Sequence, residues 1–154
     1  MTRIVVIVGA GRNVGKTLLG EAVTRLASRA GLRVWSVKHV HHGVDYRVKD
    51  TGRYLAAGSE RVYAIGPDET MMVERRPLSP GEVLEEATRH GVDLVVIEGF
   101  RAIVKQLEAY NPLIVCIGLE EPYCKLRLEP GFNPEEAARR ILETLGYSIA
   151  DETS

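Results

Sequence analysis

At 154 residues, with 45% apolar and 27% charged side chains, the chain is long enough to bury a sizeable core and has an ordinary globular make-up. Twenty basic against twenty-one acidic residues leave a net charge of −1, so nothing electrostatic points to nucleic acid or an anionic membrane as a partner. No apolar run approaches the roughly 18 residues of a membrane span, no cleavage signature follows the N-terminus, and a cytoplasmic protein is expected.

In chain order, "RIVVIVG" (Arg3–Gly9) is a continuous β-branched run, the mark of a strand buried on both faces of a parallel sheet. A glycine-bearing loop follows. Leu18, Leu19, Ala22, Val23, Leu26, Ala27 and Ala30 then draw one apolar stripe on a helix that Gly31 ends. "LRVWSVK" reads as the next strand, completing a βαβ unit. A short helix is expected over Asp50–Gly58. "RVYAIG" and "TMMVER" read as an antiparallel pair turning at Pro67-Asp68. Ser79-Pro80 starts a helix that Gly91 stops.

"VDLVVIEGF" and "PLIVCIG" read as two further buried strands, and a short strand is expected around "CKLRL". Asn133-Pro134 caps a last helix whose inner stripe is Ala137, Ala138, Ile141 and Leu145, and the tail 148–154 is expected to fray. Two cysteines, Cys116 and Cys124, are too few for a disulfide framework, so Cys116 is expected as a buried structural thiol. With no repeat or linker, residues 1–154 read as a single α/β domain.

The strongest chemical signal is "AGRNVGKT", Ala10 to Thr17. It fits the phosphate-loop pattern G-x-x-x-x-G-K-[ST] except that Ala10 replaces the first glycine, which requires a negative φ there. Between a buried strand and an amphipathic helix, Gly11, Arg12, Asn13, Val14, Gly15, Lys16, Thr17 and Leu18 would wrap their backbone N–H groups around a polyphosphate at the helix N-terminus. Lys16 would reach the β- and γ-phosphates, and the Thr17 hydroxyl would coordinate Mg²⁺.

Such a site wants a carboxylate at the end of a neighbouring strand. Asp93 and Glu98 are both candidates, about 16 Å apart along a strand. Ligands of these sheets bind at the carboxyl ends of the strands, so Glu98 is the expected second Mg²⁺ ligand and Asp93 a strand-start residue.

These segments together resemble the molybdopterin-guanine dinucleotide biosynthesis protein B family, MobB-like GTP-binding proteins. The resemblance is carried by "GRNVGKT", "VKH" with "HHGVD" and "KDTGR", "AAGSERV", and "DLVVIEGFR", in order between Ile4 and Arg101. The chain departs from the family at Val48 and in "VKQLEAYN". The resemblance implies a P-loop NTPase three-layer α/β/α sandwich with a mostly parallel sheet. It also implies binding of GTP and Mg²⁺, weak GTPase activity and a homodimer. The role would be to help a partner guanylyltransferase join GMP to the pterin phosphate of molybdopterin, for a molybdenum or tungsten cofactor.

"SVKHVHHGVDYRVKDT" holds three of the four histidines, His39, His41 and His42. No cysteine pair stands beside them to complete a tetrahedral zinc site, and solvated loop histidines are the plain alternative. The favoured expectation is that Lys38 and His39 leave a strand tip beside the phosphate loop. His41, His42, Asp45 and Asp50 would then line the mouth of the site, where imidazoles suit phosphate near neutral pH. Lys16, Glu98 and Asp50 are the catalytic candidates, Asp50 through a metal-bound water or by orienting Lys16. Arg101 would offset the charge of a second anionic ligand.

Two other classes stay open: a P-loop small-molecule kinase, for which Arg75 and Arg76 are the only lid arginines, and a nucleotide switch without chemistry. No N-K-x-D stretch follows "PLIVCIG", so guanine preference rests on the resemblance alone.

Overall fold

The structure, a computed structural model, describes residues 1–40 and 49–150. The chain divides into two compact units, Met1–His39 with Pro80–Ser154, and Val40–Ser79.

The first unit is built on a parallel five-stranded sheet. Its strands are β1 (Arg3–Gly9), β2 (Val34–Lys38), β5 (Leu94–Glu98), β6 (Leu113–Ile117) and β7 (Leu126–Leu128), in the order β2-β5-β1-β6-β7. β1 is the middle strand, and Ile4 to Gly9 are all buried, as its unbroken apolar run requires.

Alternate residues of β1 serve opposite faces. Val5 and Ile7 pack with Leu19, Val23 and Leu26 of α1 (Lys16–Arg29) and with Ala138, Ile141 and Leu142 of α5 (Pro134–Thr144). Ile4, Val6 and Val8 pack with Leu84 and Ala87 of α3 (Pro80–Arg89) and with Val104 and Leu107 of α4 (Val104–Leu107). The result is the expected three-layer α/β/α sandwich with a parallel sheet.

Local chemistry sets the helix ends. The Asn133 side chain accepts from the Glu136 N–H at 3.0 Å and Pro134 opens α5, an N-cap of about 1 kcal/mol. Gly31, just past α1, takes φ +87°. Leu18 departs from the expected stripe. It is 54% exposed, because the inner face of α1 is already filled by Leu19, Ala22, Val23, Leu26 and Ala27. The segment "VKQLEAYN", without a sequence assignment, forms α4 between two single 3₁₀ turns, Arg101–Ile103 and Glu108–Tyr110.

The cysteine expectation is corrected. Cys116 and Cys124 form a disulfide, with their Cα atoms 5.8 Å apart. Cys116 is indeed buried, but the loop after β6 folds back far enough to bring its partner within reach. Cysteine usage therefore gives no argument for a reducing compartment.

The second unit holds α2 (Lys49–Ala57) and an antiparallel hairpin, β3 (Arg61–Ile65) with β4 (Thr70–Glu74), as expected. Gly66 N–H donates to the Glu69 carbonyl at 2.9 Å to close the turn. Arg61 and Arg76 each donate to Glu74 Oε1 at 2.8 Å. These two guanidinium bonds, Arg61 foremost, hold the Glu74 carboxyl below the usual range. Arg76, one of the two lid candidates, is thus engaged within the hairpin. Among the described residues no helix is long and apolar enough to cross a membrane.

Candidate functional site

The phosphate loop leaves the C-terminal end of β1 and closes onto the first residue of α1. Its backbone alternates: Asn13 and Gly15 both take left-handed angles, φ 61° and φ 105°, with Val14 between them. Such alternation turns successive N–H groups to one side and makes an anion-binding concavity. Gly15 is also the N-cap of α1 and has no side-chain capping bond, so the first N–H groups of a 14-residue helix face the same place. Ala10 is not among the described non-glycine residues with positive φ, so alanine is accommodated there as its sequence position required.

One residue earlier, Gly9 carries a constraint that the motif does not state. A Cβ on it would meet Val14 Cγ2 at 2.5 Å and the Cγ and Cδ of Lys16 at 3.2 Å. The aliphatic stem of Lys16 therefore lies back across the end of β1, and only glycine leaves room for it. Gly11 has nothing within 4 Å of a would-be Cβ, which leaves the top of the loop open.

The neighbouring strand ends complete the arrangement. β1 and β5 run in parallel with Ile7 opposite Glu98. The Thr17 hydroxyl donates to Glu98 Oε1 at 2.6 Å, joining the start of α1 to the end of β5. Two hard oxygen donors thus stand together beside Lys16, the kind of pair that Mg²⁺ uses along with phosphate and water oxygens.

Lys38 is the register partner of Glu98, and the His39 N–H donates to the Glu98 carbonyl at 3.0 Å. The His39 ring stacks on Phe100, centroids 4.6 Å apart and planes at 28°. Gly99 makes room for His39. Its φ is +93°, and a Cβ there would meet the His39 Cβ at 2.8 Å.

Arg101 faces Glu121 at 3.6 Å, so its charge is shared with a carboxylate of the loop after β6. Asp93 lies at the other end of β5, where its carboxylate accepts from the Arg33 N–H at 2.8 Å.

Lys16, Thr17, Lys38, His39, Glu98 and Arg101 all belong to the first unit. Asp50 belongs to the second, in the first turn of α2, with Arg53 3.9 Å away. His41, His42 and Asp45 lie outside the described residues. Among the described residues no group of three His, Cys, Asp or Glu could hold a metal on its own. His90 lies just past α3, 3.9 Å from Glu86 and tilted against Trp35. Gly9, Phe100 and Glu121 were not readable as site residues. The only sequence sign for Gly9 was a glycine directly before the pattern's first position.

Comparison with known proteins places this geometry. The profile of the family Molybdopterin guanine dinucleotide synthesis protein B matches residues 4–112. A Bacillus subtilis (strain 168) protein named "Probable molybdopterin-guanine dinucleotide biosynthesis adapter protein" is 32% identical over 102 residues, 64% of this chain and 58% of that protein. The aligned stretch thus spans under two thirds of that relative's length. The crystal structure of Bacillus subtilis MobB shares the fold over 97% of this chain and 99% of that one, with TM-score 0.62 and 23% identity. The Mycobacterium tuberculosis APS kinase CysC covers 95% and 98% with TM-score 0.51 and 16% identity, again a likeness of fold alone. A P-loop fold, a preformed phosphate loop and a profile match over most of the chain lead to one conclusion: the chain belongs to the MobB family of molybdopterin guanine dinucleotide synthesis proteins.

Proposed function

We propose that this chain binds GTP with Mg²⁺, hydrolyses it slowly, and assists a partner guanylyltransferase in joining GMP to the pterin phosphate of molybdopterin. The observation that carries the reading is the 2.6 Å bond between the Thr17 hydroxyl and Glu98 at the mouth of the phosphate loop. Family membership supports the pathway, and guanine preference follows from the family resemblance.

In this reading the loop N–H groups and Lys16 bind the polyphosphate, and Thr17 with Glu98 would hold Mg²⁺. Bound there, the ion supplies positive charge to the phosphate oxygens. The stem of Lys16 lies across the end of β1, where the bare backbone of Gly9 leaves room for its methylenes. Lys38, His39, His41 and His42 are proposed to serve ligand phosphate, that of GTP or of the pterin, and Asp50 to act through a metal-bound water or by orienting Lys16.

A homodimer belongs to the same reading. On one face of the hairpin Tyr63, Ile65 and Met72 are 54%, 80% and 48% exposed, an apolar surface that a lone two-stranded ribbon leaves wet. Light scattering at micromolar concentration should give the mass of two chains; the mass of one chain would remove the dimer from the account.

Nucleotide choice separates the main reading from a small-molecule kinase. With Mg²⁺ present, GTP should bind at least tenfold tighter than ATP, and Lys16→Ala should abolish tight binding while far-UV dichroism stays unchanged. Preference for ATP would favour the kinase. Full affinity in folded Lys16→Ala would sink the phosphate-loop assignment.

The two carboxylates of β5 give the sharpest contrast. Glu98→Gln should change nucleotide affinity modestly and lower Mg²⁺-dependent hydrolysis by about tenfold or more, as loss of a charge-stabilising group in phosphoryl transfer does. Asp93→Asn should cost about 1 kcal/mol in chemical denaturation, through its bond to Arg33, and leave turnover alone. Turnover lost in folded Asp93→Asn but kept in Glu98→Gln would show that the site has been put at the wrong end of the strand.

A further inference from the structure

The phosphate loop is braced from outside by a turn more than a hundred residues away in sequence. Between β7 and α5 the chain runs Glu129-Pro130-Gly131-Phe132-Asn133. This turn is fixed on both sides of Phe132. The Phe132 N–H donates to the Glu129 carbonyl at 3.2 Å, Gly131 takes φ +91°, and Asn133 caps α5.

From that position the ring edge meets the phosphate loop. A Cβ on Gly15 would stand 3.0 and 3.1 Å from Phe132 Cε1 and Cζ. Two residues back, Pro130 packs on Gly118, where a Cβ would lie 3.2 Å from Pro130 Cγ and 3.9 Å from the Ala10 Cβ. One turn thus touches the loop directly at its helix end and, through Gly118, at its strand end.

We infer that Phe132 is a positioning residue for nucleotide binding: its ring sets the backbone of Gly15, and with it the direction of the loop's N–H groups. Gly15 has no side chain with which to fill the space, so loss of the ring leaves the loop backbone without that support. Val14 and Phe132 both lie half-buried over the apolar cluster between α1 and α5, so the underside of the loop rests on ground that the ring completes. Phosphate binding through a row of N–H groups depends on their alignment, and a displacement of about 1 Å is enough to cost a site much of its strength.

The inference rests on the reading of this loop as a nucleotide site, and the test separates the two. Calorimetric affinities are measured with Mg²⁺ for GTP and for inorganic tripolyphosphate, which has no base. Phe132→Ala should weaken both by at least tenfold, and Phe132→Leu should recover part of the loss for both. Ile141→Val, buried in α5, the helix that follows this turn, serves as a stability control and should move neither by more than twofold.

Loss confined to GTP, with tripolyphosphate unchanged, would make the ring a base platform and overturn the inference. Equal loss in Ile141→Val would reduce it to general destabilisation and overturn it as well. If Phe132→Ala does not fold, Phe132→Leu decides: unchanged affinity for tripolyphosphate refutes the positioning role. Wild-type protein that binds neither probe would overturn the nucleotide reading itself, and the inference with it.

Discussion

The hydrogen bond from the Thr17 hydroxyl to Glu98 joins residues 81 positions apart, and it depends on how β1 is paired. β1 lies between β5 and β6, parallel to both, with Ile7 opposite Glu98 and Gly9 opposite Ile117. That register brings the carboxyl ends of β2, β5 and β6 around the point where the phosphate loop leaves the sheet. A slip of one residue would send every buried side chain of β1 to the opposite layer, from the α1–α5 cluster to the α3–α4 cluster or back. The two apolar layers therefore hold the register, and the register holds the site.

Within that frame the close approaches fall on glycines. Gly9 yields to Val14 and Lys16, Gly15 to Phe132, and Gly99 to His39. At each of the three a methyl group would collide with an atom at or inside 3.2 Å, and at Gly15 and Gly99 the backbone angle is left-handed as well. The geometry suits a loop whose chemistry is done by main-chain N–H groups, since nothing but bare backbone can be packed this tightly from below and stay open above. Gly11, with no neighbour within 4 Å, is the open side.

Much of this was legible in the sequence because local pattern and tertiary role coincide. The run from Ile4 to Gly9 carries no polar side chain because both faces are covered, and "GRNVGKT" sits between such a strand and an amphipathic helix. Strand geometry alone separated Glu98 from Asp93.

What was not legible depends on chain segments meeting that sequence spacing does not relate. Cys116 and Cys124 meet because the loop after β6 turns back. Phe132 meets Gly15 because α5 packs beside α1. Leu18 read as core by spacing alone, yet it lies in the first turn of α1, off the face filled by Leu19, Ala22 and Val23, and stays exposed.

The central claim is that Thr17 and Glu98 mark the cation position of a nucleotide site. The most direct measurement is a crystal structure of the chain with a non-hydrolysable GTP analogue and Mn²⁺ in place of Mg²⁺, its anomalous signal locating the ion. The account predicts a single strong peak in contact with the Thr17 hydroxyl and the phosphates, with the Glu98 carboxylate in its inner or outer coordination shell. A peak among the histidines instead, or an ordered analogue whose ion touches neither Thr17 nor Glu98, would contradict it.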